Sequence, residues 1–241
     1  MANDETTMRV SKETHARLQS LGGKGETFES IIVGLLDRSK PRKAVDLGGR
    51  DFHRKRLLRQ DLISKMGPVD TCYAPFIGDG RLVYDLYRER HLYGREADWK
   101  LVNAAQALIP YAVIEEGPAE AFGLLDEGPF DVADFDARMN PYPAFLAFWK
   151  NAKKADRMTL VFTDGLRGGI IQSGNLIRPS GTKKRIADHV ERATIYGHYF
   201  DKVILPWFIK VVRPYAIVEK AVYTQGTMCY WGAVIETKGG E

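Results

Sequence analysis

Hydrophobic and polar positions are arranged differently in the first 37 residues and in the rest of the chain. Residues 7–11 alternate polar and apolar side chains, as a short strand with one buried face does. Residues 14–21 have helical spacing and end at a Gly-Gly pair, and Thr27 then precedes a second amphipathic helix. A strand and two helices in so few residues cannot bury a core alone, so we predict that residues 1–37 form a homodimer.

From residue 52 onward, strand-like and helix-like segments follow one another. The predicted strands are VDTCYAPF, HLYGREAD, YAVIEEG, FDVADFD and RMTLVFTDG, and the predicted helices are HRKRLLRQDLISKMG, RLVYDLYRER, DWKLVNAAQALI and PAFLAFWKNAK. Strands that are separated by helices form a parallel sheet covered on both faces. The final segments, YAIVEKAVYT and MCYWGAVIE around a QGT turn, predict an antiparallel hairpin at one sheet edge. We therefore expect residues 52–241 to form an α/β, Rossmann-like domain, joined to residues 1–37 by a basic linker, residues 38–51.

A glycine-containing bend after the first predicted strand is the main candidate for a ligand site. Gly78 and Gly80 lack side chains, so the backbone can approach a ligand closely at the carboxyl end of the strands, where open α/β sheets bind ligands. Glu96 lies 16 residues after Gly80 and ends the second strand, at a spacing typical of a carboxylate that binds ribose hydroxyls. Val83 occupies the third glycine position of the phosphate fingerprint, which argues against a pyrophosphate dinucleotide.

Several segments resemble motifs of class I S-adenosylmethionine-dependent methyltransferases, especially those that act on nucleic acids. The matching segments are APFIGDGRL, YGREADWKLVNAA, VIEEGPAEAF and FDVADFDARMNPYPAF, and with the terminal hairpin they cover about residues 53–240. The last of them, followed by LVFTDG, is also similar to tRNA guanine-N2 methyltransferases and related phage proteins. The resemblance implies that S-adenosyl-L-methionine is the cofactor and that it is bound by Ala74, Phe76, Gly78, Gly80, Glu96 and Ala119.

The same resemblance implies a site for the methyl acceptor. Its catalytic candidates are Asp134, Asp136, Asn140 and Tyr142. A carboxylate oxygen can orient an exocyclic amine, and aromatic rings can stack on a base that is single-stranded or flipped out of a duplex. Tyr142 begins an aromatic segment that ends at Trp149, and its spacing is more typical of a helix packed on the core than of rings that stack on a base.

Two departures from the family pattern leave a second function open. The proline and aromatic residue of amino-methylating enzymes are absent directly after Asp136, and Pro118-Ala119 stands where an Asp-Ala pair contacts adenine. We predict a methyltransferase that acts on a nucleic-acid base. The alternative is a DNA-binding regulator or scaffold whose methyltransferase-like domain is inactive. A methyltransferase for small molecules or proteins is a third interpretation.

The N-terminal segment TTMRVSKETHARLQSLGGKGETFESIIVGLLD resembles the ribbon-helix-helix family of DNA-binding antitoxins and repressors. In that family two chains pair their strands and place the polar strand face in the DNA major groove. The resemblance implies that Thr7, Arg9 and Ser11 contact DNA. The net charge of −2 in residues 1–37 counts against DNA contact, and a dimerisation element without it is the alternative.

Charge is unevenly distributed along the chain, and this bears on the partner. The net charge of +4 includes +7 in residues 38–60, −5 in residues 61–177 and +5 in residues 178–220. Two basic segments around an acidic one suit a polyanionic partner, although solvated surfaces produce the same pattern. Because of the N-terminal module, we expect this partner to be DNA rather than RNA.

Composition excludes several other classes of protein. No apolar run approaches the roughly 18 residues that a membrane-spanning helix needs, and the N-terminus lacks the layout of a signal peptide. The two cysteines are far apart, and the five histidines have no metal-ligand spacing. We therefore expect no metal site, no membrane association and a cytoplasmic location.

Overall fold

The computed structural model describes Ser11, residues 50–123 and residues 127–237, and the chain divides between Gly49 and Arg50. The predictions for Thr7, Arg9, the N-terminal module and the dimer lie outside the described residues. Ser11 is exposed and belongs to neither helix nor strand. The predicted linker is two residues too long, because residues 50 and 51 belong to the first helix of the large domain.

Helices and strands alternate through the large domain. The helices are α1 (Arg50–Met66), α2 (Arg81–Tyr87), α3 (Trp99–Leu108), α4 (Tyr142–Asn151), α5 (Arg167–Ser173), α6 (His189–Gly197), a π-helical turn (Phe200–Ile204) and α7 (Leu205–Val211). The strands are β1 (Thr71–Ala74), β2 (His91–Glu96), β3 (Val113–Glu116), β4 (Phe130–Phe135), β5 (Lys154–Asp164), β6 (Asn175–Ile177), β7 (Lys183–Arg185), β8 (Tyr215–Gln225) and β9 (Met228–Thr237).

One seven-stranded sheet organises this domain, in the order β3-β2-β1-β4-β5-β9-β8. Strands β1 to β5 are parallel, and β9 runs antiparallel to both β5 and β8. The predicted Rossmann-like fold with a C-terminal antiparallel hairpin is confirmed. The strand order reverses between β1 and β4, and the carboxyl ends of strands at such a point form the ligand crevice of open α/β sheets.

The central strands of the sheet are buried on both faces, whereas the edge strands β3 and β8 are partly exposed. The α1–α3 face is packed with aliphatic side chains, while the opposite face is rich in aromatic residues, among them Phe145, Phe162 and Trp231. In β5, every residue from Met158 to Asp164 is buried. Such a run is typical of a central strand, because neither face meets water.

The segment between β5 and β8 contains elements that the sequence pattern does not predict. The hairpin of β6 and β7 has only three residues in each strand, and α6 buries none of its residues. Their formation depends on local contacts instead: the Asp188 carboxylate accepts a hydrogen bond from the Glu191 amide at 2.6 Å and caps α6. Among the helices that the structure describes, none is both long and apolar enough to cross a bilayer.

Candidate active site

The bend after β1 is built by two glycines in left-handed conformations. Gly78 has φ +57° and Gly80 has φ +80°, values that residues with a Cβ atom rarely adopt. The Gly80 amide donates to the Ile77 carbonyl at 3.0 Å, and the Gly80 carbonyl accepts from the Tyr84 amide at 2.8 Å. The second of these bonds starts α2, so the bend turns the chain directly from strand into helix.

The two glycines differ in what surrounds them. A Cβ atom at Gly80 would lie 3.1 Å from Ile109 Cδ1 and 3.2 Å from the Cα of Ala105, so Gly80 is needed for the contact between the bend and α3. A Cβ atom at Gly78 would meet nothing within 4 Å. The backbone at Gly78 therefore borders open space, as a cradle for a ligand must.

Glu96 faces this bend. Its Oε2 accepts a hydrogen bond from the Gly78 amide at 3.1 Å, and its Oε1 accepts from the amides of Ala97 at 2.9 Å and Asp98 at 3.1 Å. The carboxylate is held by backbone donors at the carboxyl end of β2, next to the end of β1 with which β2 pairs. The structure thus brings together the glycine bend and the acid that the sequence spacing singled out.

The other predicted cofactor residues could contact a cofactor mainly through their backbone, because their side chains pack in the core. The side chains of Ala74 and Ala119 are buried in the core, and Phe76 packs against the aromatic cluster. Beside them lies Arg95 of β2, which sequence reasoning missed and which pairs with Glu115 of β3. Its guanidinium lies beside the loop after β3, where it leaves little room for a side chain at Gly117.

Asp134 does not face an acceptor, and its predicted catalytic role is corrected. It is 2% exposed and receives two hydrogen bonds from the equally buried Arg59 of α1, Nε to Oδ2 at 2.6 Å and Nη2 to Oδ1 at 2.7 Å. The Tyr87 hydroxyl donates to the same Oδ2 at 3.1 Å. Burial lowers the pKa of Arg59, but Asp134 and Asp136 outweigh it, so this pKa is raised and the guanidinium stays charged.

Asp136, two residues further along, does reach a cavity. Its Oδ1 accepts a hydrogen bond from Lys55 Nζ at 2.7 Å and lies 3.6 Å from Arg59 Nη2, and its side chain is 20% exposed. Burial acts to raise the pKa of Asp136, but the positive charges of Arg59 and Lys55 outweigh it and hold that pKa below its ordinary value. Asp136 is therefore an ionised hydrogen-bond acceptor at neutral pH.

The cavity beside Asp136 has a volume of about 520 Å³ and lies at the carboxyl ends of β4 and β5. It is lined by Lys55, Asp136, Ala137, Arg138, Met139, Thr163, Met228 and Tyr230. Four parts of the chain meet there: α1, the loop after β4, the carboxyl end of β5 and the amino end of β9. Of these lining residues only Asp136 was predicted as a site residue, because Lys55, Met228 and Tyr230 come from elements without a recognisable motif.

Asn140 and Tyr142 have structural contacts instead of facing this cavity. Asn140 Oδ1 accepts from the Tyr142 amide at 3.1 Å at the start of α4. Tyr142 is fully buried, and its hydroxyl donates to Asp164 Oδ2 at 2.5 Å, so its predicted stacking on a base is corrected. The same Asp164 accepts from the Tyr199 hydroxyl at 3.0 Å and from the Leu166 amide at 2.7 Å.

Asp164 is the ionisable group of this buried cluster. Burial raises the pKa of Asp164 to about 6, although the hydrogen bonds from Tyr142, Leu166 and Tyr199 act to lower it. Burial beside this carboxylate also raises the pKa of Tyr142 well above its ordinary value. Among the described residues, no group of three or more His, Cys, Asp or Glu side chains is arranged to hold a metal ion.

Comparison with known proteins identifies relatives by fold alone. No protein-family model matches the chain, and no curated protein matches it. The N-methyltransferase NodS from Bradyrhizobium japonicum WM9 aligns with a TM-score of 0.50 and 12% identity, covering 78% of this chain and 98% of that one. Its complex with S-adenosyl-L-homocysteine gives a TM-score of 0.50 and 12% identity, covering 82% of this chain and 93% of that one.

A further solved structure, the methyltransferase domain of bacterial CtHen1, aligns with a TM-score of 0.49 and 10% identity over 78% of this chain and 99% of its own. The large domain thus shares its Rossmann-like α/β fold with NodS.

Proposed function

We propose that the large domain is an S-adenosylmethionine-dependent methyltransferase that acts on an amine of a nucleic-acid base. The observation that carries this proposal is the contact between Glu96 and the Gly78 amide, beside open space at the carboxyl edge of the sheet. The fold adds support, because NodS shares it and has been crystallised with S-adenosyl-L-homocysteine, the product of the same cofactor.

The residues at the bend fit the cofactor. Gly78 leaves room for its amino-acid end, and the Glu96 carboxylate is placed to accept hydrogen bonds from ribose hydroxyls. When bound, S-adenosylmethionine supplies both the methyl group and its leaving group, so the chain need only align the acceptor and exclude water. No activated nucleophile is required, and the buried Cys72 and Cys229 have no part in this scheme.

The acceptor would bind in the cavity beside Asp136. The ionised carboxylate can accept a hydrogen bond from an amine and fix the direction of its lone pair. Lys55 and Arg138 give the lining an excess of positive charge, which favours an anionic acceptor such as a nucleic acid. In this proposal residues 1–37 supply the homodimer and the contacts of Thr7, Arg9 and Ser11 to DNA.

Isothermal titration calorimetry with S-adenosylmethionine tests the cofactor site. We expect the intact chain to bind the cofactor. Glu96→Ala should lower the affinity about tenfold or more, because it removes the charged acceptor of the ribose hydroxyls. Gly78→Asp should do the same, because its side chain would fill the open space at the bend. Glu89→Ala is the matched control: this exposed glutamate precedes the amino end of β2 and should leave affinity unchanged. Absence of binding by the intact chain would refute the proposal.

The alternative, a regulator with an inactive domain, has one structural observation in its favour. Asp134, a candidate that lies in the family motif, is bound to Arg59 and cannot contact an acceptor. Incubation with labelled S-adenosylmethionine and a mixture of DNA and tRNA separates the two functions. An enzyme transfers label to one of the nucleic acids, whereas a regulator binds without transfer. Transfer to small molecules or proteins only would instead favour the third interpretation.

A further inference from the structure

We propose that Lys55 and Asp136 act as one recognition element that selects an acceptor with an amine next to a ring nitrogen or carbonyl. This inference rests on the proposed function, because it names the chemistry of the acceptor in the cavity described above. It assigns a role in specificity to Lys55 of α1. This residue lies outside the motifs on which the resemblance to methyltransferases rests.

The first argument is the geometry of the pair. Lys55 Nζ and Asp136 Oδ1 are 2.7 Å apart, and both side chains line the cavity. An ammonium has three N–H donors, so two remain after the bond to Asp136, and each carboxylate oxygen accepts more than one hydrogen bond. The pair therefore presents a donor and an acceptor side by side. A base edge with an amine beside a ring acceptor is complementary to such an arrangement.

The second argument is that this pair is not needed to neutralise a buried charge. Its side chains are 22% and 20% exposed, whereas those of Arg59 and Asp134 behind it are 0% and 2% exposed. Arg59 already lies 3.6 Å from Asp136 and supplies a compensating charge. Lys55 is thus free to exchange part of its contact for a ligand without leaving an isolated carboxylate.

The third argument is the shape and chemistry of the remaining lining. Met139, Met228 and Tyr230 provide polarisable and aromatic surface, which packs well against flat rings. The Lys55 ammonium lies 5.9 Å from the centre of the Tyr230 ring, so the polar pair and this aromatic surface are adjacent. A flat heterocycle can therefore contact the exposed Met139 side chain with its face and the Lys55–Asp136 pair with its edge.

Ligand-observed NMR titrations of the full chain test this inference, after calorimetry has measured S-adenosyl-L-homocysteine binding. With that compound in excess to fill the cofactor site, two pairs of nucleosides are compared: cytidine with the riboside of pyrimidin-2-one, and adenosine with the riboside of purine, since neither of these partners has an N–H donor on its base. In each pair only the first carries the exocyclic amine at the compared position. We expect at least one amine-bearing nucleoside to bind about tenfold more tightly than its partner, since the partner leaves Asp136 without a donor.

Two variants of the pair, Lys55→Met and Asp136→Asn, should each abolish this preference. The matched control is Lys65→Met, the same substitution on the same helix, at a surface lysine that pairs with Asp61. Lys65→Met should retain the preference within about twofold. Thermal melts of all variants show whether a loss of binding reflects loss of folded protein.

Equal binding of the amine-bearing nucleosides and of their partners without a donor, measured on the intact chain, would overturn the inference. So would a preference that persists in both variants of the pair, or one that Lys65→Met removes equally. Failure of S-adenosyl-L-homocysteine to bind, with the nucleoside preference intact, would instead reject the proposed methyltransferase function and leave the recognition element in place.

Discussion

The ion pair between Arg59 and Asp134 provides a stringent test of how α1 is attached to the sheet. Both side chains are almost completely buried and are joined by two hydrogen bonds of 2.6 and 2.7 Å. Replacing Asp134 with Ala leaves a buried guanidinium without its main partner and removes the acceptor of the Tyr87 hydroxyl. We expect Asp134→Ala to lower the free energy of unfolding by about 3–5 kcal/mol.

The complementary change has the same physical basis. Arg59→Met leaves Asp134 as a buried carboxylate with only Tyr87 as a donor, and we expect a loss of about 3–5 kcal/mol again. The double variant contains neither charge, so its loss should not exceed that of either single variant. This non-additivity distinguishes the penalty of an isolated buried charge from a simple loss of packing.

Urea denaturation, followed by fluorescence and circular dichroism, measures these free energies. The control is Asp85→Ala, which breaks the pair between Arg56 of the same helix and Asp85, whose side chains are 42% and 38% exposed. An exposed pair contributes about 0–1 kcal/mol. The reasoning would be refuted if Asp134→Ala cost no more than Asp85→Ala, or if the losses in the double variant were simply additive.

Three other predictions follow from the glycine bend, the buried carboxylate and the cavity. Gly80→Ala should lower the free energy of unfolding by about 2 kcal/mol more than Gly181→Ala in urea melts, because both have a positive φ but only Gly80 would also crowd Ile109. The pKa of Asp164 is raised in the folded state from an ordinary value of 3.8 to about 6, so its contribution to stability is fully present below pH 3.8 and is lost as pH rises through 6. Between pH 4 and pH 7.5 the stability of Asp164→Asn should therefore rise by about 2.5 kcal/mol relative to that of the wild type, and an unchanged difference between the two melts would contradict this. Asp136→Ala should reduce methyl transfer at least a hundredfold, on the order of the loss of a positioning group, while calorimetry shows unchanged cofactor affinity.

The fold could be predicted from sequence because the central strands are covered on both faces. In β5 this produces a mostly apolar segment from Met158 to Phe162, and the helical segments between the strands distinguish a parallel sheet from an antiparallel one. The C-terminal hairpin was recognised from its QGT turn between two apolar strands. The elements between Arg167 and Val211 were not predicted, since short helices and three-residue strands have too few positions to show a period.

The candidate site could be predicted only in part, for a related reason. Gly78 lies in the bend after β1 and Glu96 ends the adjacent strand β2, so their spacing in sequence is sufficient to bring them together. Arg59 and Asp134 are 75 residues apart, and an arginine in an amphipathic helix usually lies on its solvated face. Nothing local distinguishes Arg59 from its neighbour Arg56, which is indeed on the surface. The catalytic role of Tyr142 was inferred from its proximity to Asp136 in sequence and is wrong, whereas the aromatic spacing favoured a core position, and Tyr142 is indeed buried at the start of α4.

Four charged side chains lie where α1 meets the end of β4, and they form a buried pair and a partly exposed pair. The position of the partly exposed pair depends on the buried one. Arg59 binds Asp134 at 2.6 Å and also lies 3.6 Å from Asp136, while Lys55, one helical turn away, binds Asp136 at 2.7 Å. The Lys55 carbonyl accepts a further bond from Arg59 Nη1 at 3.1 Å, so the backbone that carries the exposed lysine is held by the buried arginine. Two positive and two negative charges balance, and only the outer pair meets the cavity. Since the inner pair fixes the position of α1, removing it should displace Lys55 from Asp136 as well as destabilise the fold.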